Sequence, residues 1–180
     1  GYSSGTGNNL VTLIGVYAVL LREAGERLSF PGTPENYEKR SQATTADLLS
    51  RALAWAATDR HCVNEDVNLT NGETFRWCDL WPAVAAFFGM EPGPPAGPLL
   101  AERMPAHASS WPDIQRRYGL VPMSLEALVN WHYGDGLFSV PWADDSSNDK
   151  ARRLGFADRE DNRAALLRIL GDLRRDRILP

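Results

Sequence analysis

Apolar positions near the start of the chain follow a helical period. Leu10, Leu13, Ile14, Tyr17, Leu20 and Leu21 recur at i, i+3 and i+4, which predicts one apolar stripe on a helix over residues 8–23. Gly25 follows as its stop. Residues 27–30 read as a short strand closed by Pro31-Gly32, and the stretch to Gln42 as a polar loop. A second helix is predicted to start at Thr44 or Thr45, with Asp47 three residues after Thr44 as in a capping box. Its buried face is expected to be Leu48, Leu49, Ala52, Leu53 and Ala56. After a turn over residues 58–65, residues 66–70 read as a second strand, ended by the turn signal Asn71-Gly72.

A third helix is predicted over 79–88, with Pro82 tolerated in its first turn and Gly89 after its end. Residues 91–98 hold four prolines and two glycines and read as a stiff connector. Shorter helices are predicted over 111–118 and 124–133, the second broken by Gly134-Asp135-Gly136. Ser147 is expected to cap a helix reaching Leu154, and a last helix over 161–175 to bury Leu166, Ile169, Leu170 and Leu173. The pattern gives about seven helices and two strands separated by a helix, which would lie parallel if paired. A two-stranded parallel sheet leaves edges and faces uncovered. The rest of the sheet is therefore expected from outside the chain, either an upstream half or an obligate partner. Residues 1–9, without a Met, read as a loop entered from upstream, as in a fragment or cleaved product.

Composition acts mainly by exclusion. The 180 residues are 43% hydrophobic and 23% charged, an ordinary globular balance for one domain or part of a larger one. Arg22 and Glu23 interrupt the best apolar run before it reaches the roughly 20 residues of a membrane helix, so no membrane partner is expected. A net charge of −4 disfavours a nucleic-acid partner. Arg outnumbers Lys 17 to 2, which reads as GC-rich coding bias. Cys62 and Cys78 lack zinc spacing and are expected to be reduced thiols of a cytoplasmic protein. The sequon Asn68-Leu69-Thr70 sits in the predicted second strand and is expected to be unmodified. Trp55, Trp77, Trp81 and Trp111 read as core.

Familiar catalytic patterns are missing. Gly5-Thr6-Gly7 lacks the third glycine, the preceding strand and the acidic residue of a dinucleotide fingerprint, and reads as a loop capping the first helix. There is no Tyr-x-x-x-Lys, no Gly-x-Ser-x-Gly and no P-loop lysine. His61, His107 and His132 are dispersed, and His132 reads as packed or surface-lying beside Trp131 and Tyr133. Asp144-Asp145 and the acidic group Asp158, Glu160 and Asp161 read as helix caps and solvated loops. No catalytic residue and no metal site is expected in this chain.

Several segments nevertheless resemble one family in order and spacing. They include Leu28-Ser29-Phe30-Pro31-Gly32, Thr45-Ala46-Asp47-Leu48-Leu49, Leu80-Trp81-Pro82, Trp131-His132-Tyr133-Gly134-Asp135 and Lys150-Ala151-Arg152. The most specific is the stretch from Asn64-Glu65 through Asn68, Asn71-Gly72 and Phe75 to Trp77. Together they resemble, over nearly the whole chain, the C-terminal half of the progesterone 5β-reductase/iridoid synthase-like group of atypical extended short-chain dehydrogenases/reductases. The resemblance implies an α/β fold in which residues 1–180 are the substrate-binding and lid portion, with a Rossmann half outside the chain. It implies an NAD(P)H-dependent reduction of an activated C=C bond in an enone or enal. NADPH would be bound mainly by the other half, with Gly1 and Ser3 beside the nicotinamide. Gly7, Asn8, Thr44, Tyr133, Gly136 and Leu137 would face a small apolar carbonyl substrate.

Two departures from the family stand out. Glycines replace bulky residues at Gly5-Thr6-Gly7, which implies a wider mouth. Tyr133 replaces a common Phe and adds a hydroxyl, and its other reading is a core aromatic at a helix end. The expected partner is the chain's own N-terminal half or a second copy. Two alternatives stay open: a non-catalytic module binding a small ligand or a protein, and an epimerase or dehydratase of nucleotide sugars.

Overall fold

The computed structural model describes residues 7–180. Its axis is helix α1 (Leu10–Glu23), capped by Asn9, whose Oδ1 accepts the Thr12 N–H at 3.0 Å. The single stripe predicted for α1 is too narrow, because Thr12 through Leu21 are all buried. Neighbours enclose it: β1 (Leu28–Ser29), a 3₁₀ segment (Met104–Ser110), α7 (Leu125–Leu128), α8 (Trp131–Phe138) and α10 (Asn162–Arg175). Between these lie α2 (Pro34–Glu38), α3 (Ala46–Thr58), α4 (Trp77–Phe87), β2 (Pro92–Gly93), α5 (Leu100–Arg103), α6 (Trp111–Tyr118) and α9 (Asp149–Arg153). The described residues are thus mostly helical with one parallel two-stranded pair.

β1 lies where the sequence placed it, but its partner does not. Leu28 pairs with Pro92 and Ser29 with Gly93, inside the predicted connector. A side chain at Gly93 would sit 2.5 Å from Ser29 Oγ and 3.1 Å from its backbone, so this close approach requires glycine. Side chains satisfy the β1 carbonyls: Trp81 Nε1 donates to Leu28 O at 2.9 Å and Tyr17 Oη to Ser29 O at 3.0 Å. Burial pushes the Tyr17 hydroxyl up to about 12, so it stays a donor. Residues 66–70, predicted as a strand, carry no regular structure and join no ladder. The Asn148 side chain pins them instead, accepting from Thr70 N–H at 3.0 Å and donating to Thr70 O at 2.9 Å. The amides of residues 66–69 meet no acceptor among the described residues.

Helix α3 is capped by Thr45, whose Oγ1 accepts from Leu48 N–H at 3.2 Å. Only Leu48 and Ala52 of its predicted buried face are buried. Leu49 is 41% and Leu53 60% exposed, and Ala56 is half-buried. The cause is a narrow second cluster of Ala151, Phe156, Trp55, Val67 and Leu69, which covers one side of the helix and leaves the other bare. Trp55 is only half-buried, whereas Trp77, Trp81 and Trp111 are core.

The Gly134-Asp135-Gly136 signal does not break a helix. The break falls at Val129-Asn130, and α8 runs through the glycines to Phe138. A side chain at Gly134 would meet Leu13 and Leu100 methyls at 2.8 Å, so this glycine lets α8 press on α1 and α5. Asp135 accepts from the first amides of α5, Leu100 N at 2.7 Å and Ala101 N at 3.0 Å.

Candidate functional site

Three of the predicted site residues, Gly7, Asn8 and Tyr133, are joined through Asn130 beside the N-terminal end of α1. Gly7 adopts φ +64°, and its carbonyl accepts the Asn130 N–H at 2.9 Å. Any side chain there would press within 3.2 Å of the backbone at Val129 and Asn130. Asn8 Oδ1 accepts from Asn130 Nδ2 at 3.0 Å. Asn130 Oδ1 in turn caps α8, accepting the Tyr133 N–H at 3.2 Å. One asparagine therefore ties the Gly7-Asn8 turn to the helix that carries Tyr133, Gly136 and Leu137. Tyr133 is half-buried against the main core, and Gly136 is exposed with nothing near its Cα face. Gly1 and Ser3 lie outside the described residues.

Two adjoining grooves open beside this turn and share Leu10, Ala43, Phe75 and Trp77 as a wall. The first, about 190 Å³, is closed by Leu80, Leu166 and Ile169 and has Thr44 on its rim. Thr44 is exposed, and its hydroxyl donates to Leu69 O at 2.8 Å. The second, about 260 Å³, is lined by Leu137, Phe138, Val140 and Trp142, with Asn36, Lys39, Ser41, Gln42 and Asp144 as polar members. Asn36 is buried, and its Nδ2 donates to the carbonyls of Leu137 at 3.3 Å and Val140 at 2.8 Å, which fixes that wall. The structure thus joins Gly7, Asn8 and Tyr133 through Asn130. It puts Leu137 and Thr44 in neighbouring grooves, and Tyr133 and Gly136 line neither.

The chemistry available here is binding. Among the described residues, no group of three or more His, Cys, Asp or Glu side chains is placed to hold a metal ion. Cys62 and Cys78 are free, and burial together with nearby carboxylates pushes both thiols up, away from the nucleophilic thiolate. At the start of α1 the Asn9 side chain takes the Thr12 N–H. Lys39 and Trp142 line the second groove without having been singled out as site residues, and Phe75 had entered only as part of the stretch that ends at Trp77.

No family model matches the chain. Comparison with curated proteins does find relatives along its whole length. An (S)-8-oxocitronellyl enol synthase of Camptotheca acuminata is 29% identical over 184 residues, covering 100% of this chain and 47% of that protein. The (S)-8-oxocitronellyl enol synthase of Nepeta cataria is 30% identical over 185 residues, covering 100% and 46%. The 3-oxo-Δ4,5-steroid 5β-reductase of Arabidopsis thaliana is 32% identical over 161 residues, covering 87% and 41%. The chain spans about half the length of these relatives and aligns with their C-terminal part. It is a homologue of the C-terminal half of the enol synthase and steroid 5β-reductase group of extended short-chain dehydrogenases/reductases.

Proposed function

We propose that this chain, residues 1–180, is the substrate-binding and lid portion of a reductase acting on an activated C=C bond of an enone or enal. The observation that carries this reading is the end-to-end homology to the C-terminal half of such proteins. Two structural features support it. The unpaired amides of residues 66–69 and the bare Leu49–Leu53 face of α3 are surface that another part of an α/β protein would cover.

In this reading NADPH, bound mainly by the other half, supplies the hydride. The described residues of this chain do the rest of the binding work. The Leu10–Phe75–Trp77 wall and Leu137 exclude water from an apolar carbonyl compound, and the Gly7-Asn8 turn fixes the wall's entrance through Asn130. No catalytic group is assigned to this chain. Its free cysteines favour a cytoplasmic setting. A nucleotide-sugar reaction is less suited, because the groove walls are apolar.

The coding sequence upstream of Gly1 is predicted to contain a glycine-rich βαβ unit. The polypeptide that includes it is predicted to quench or shift NADPH fluorescence at micromolar protein. Absence of NADPH binding under those conditions would contradict the reductase reading and favour a stand-alone ligand-binding module.

A further inference from the structure

The groove under Trp142 holds the Lys39 ammonium, with the Asp144 carboxylate on the same lining. Lys39 Nζ donates to Ser41 Oγ at 3.3 Å and makes no ion pair among the described residues, whereas the other lysine, Lys150, pairs with Glu65 at 2.7 Å. Asp144 acts on Lys39 through space and stays anionic while its carboxylate accepts the Gln42 side-chain amide. Burial of Lys39 outweighs the effect of Asp144 and makes its charged form harder to hold. The same groove is lined by Leu10, Phe75, Leu137, Val140 and Trp142 on its apolar side and by Asn36, Ser41, Gln42 and Asp144 on its polar side. Trp142 is 68% exposed, a large apolar surface left on the rim. Its loop is already fixed: Asp145 pairs with Arg40, and the Asp144 N–H donates to Arg40 O at 3.1 Å.

We propose that this groove binds an amphipathic carboxylate, with its apolar body against Trp142 and Leu137 and its carboxylate on the Lys39 ammonium. A half-buried cation gains from a charged acceptor that replaces the hydration it has lost. The apolar walls give the body of such a ligand its surface. The inference goes beyond the reductase reading and needs neither the nicotinamide cofactor nor the other half. Where both hold, the reductase substrate is an unsaturated carbonyl compound carrying a remote carboxylate.

Calorimetric titration of the chain with octanoate and with octanol tests this. Octanoate is expected to bind the wild type and Lys39→Arg, and to bind Lys39→Met and Lys39→Gln about tenfold more weakly. Octanol is expected to bind all four alike, and Trp142→Ala to weaken both ligands. A circular dichroism melt establishes that each variant keeps its fold. Equal octanoate affinity in the wild type and both neutral variants overturns the proposal, as does a wild-type preference for octanol or no octanoate binding up to millimolar concentration. These results leave the NADPH test untouched, so the two readings fail separately.

Discussion

Phe30→Ala is expected to remove about 4 kcal/mol of folding stability. The side chain is 0% exposed and sits where β1 meets α2, α4 and α8. Its ring lies 4.9 Å from Tyr37, 5.2 Å from both Trp81 and Phe138, and 5.8 Å from Trp77. Truncation therefore forfeits both buried apolar area and edge-to-face ring contacts. The hole cannot easily collapse, because Trp81 is held by its bond to Leu28 O. Against a typical total of about 5–15 kcal/mol, such a loss takes a third or more of the stability. Phe30→Leu, which keeps most of the volume, should cost about 1.5 kcal/mol. Urea unfolding measures both, and an unchanged midpoint for Phe30→Ala would mean that the ring cluster is not the centre of the core.

Asn71→Ala is expected to cost about 3 kcal/mol, a large effect for a residue with no apolar surface to lose. Asn71 is 1% exposed. Its Oδ1 accepts the Thr45 N–H at 2.9 Å, and its Nδ2 donates to Asn162 Oδ1 at 2.9 Å. Asn162 passes the chain on, donating to Glu73 O at 2.9 Å. The backbone of Asn71 bonds Ala43 O at 2.8 Å and accepts from Glu160 N–H at 2.9 Å. One side chain thus locks the start of α3 to the start of α10 across the first groove. Alanine leaves a buried amide at Thr45 without a partner, which costs more than the bond itself was worth. Asn71→Asp should not rescue, because it loses the donor and buries a charge against Asn162 Oδ1. Hydrogen exchange at Thr45 reads the local effect, and protection equal to the wild type would rule out this role.

The parts of the fold that were legible in the sequence are those in which burial follows a period. α6 and α10 lie where apolar spacing placed them, and α10 buries Leu166, Ile169, Leu170 and Leu173. Periodicity names apolar positions but says nothing of what covers them, which is why Leu49 and Leu53 were expected inside and lie outside. β2 was hidden because proline and glycine are poor strand residues, and Gly93 is there only to let Ser29 approach. At Gly134 a breaker signal was overridden by packing against Leu13 and Leu100. In the site, Asn130 is a readable cap, yet its bonds to Gly7 and Asn8 span over 120 residues and leave no local trace. Lys39 read as part of a polar loop because its apolar surroundings come from residues 137–142, far along the chain.

If the chain is one part of a C=C reductase, the full-length polypeptide should oxidise NADPH only when a conjugated enone or enal is supplied. Mass and NMR analysis of the product should then show the double bond saturated and the carbonyl retained. A polypeptide that binds NADPH but leaves every such double bond intact, or that reduces the carbonyl to an alcohol instead, would contradict that assignment.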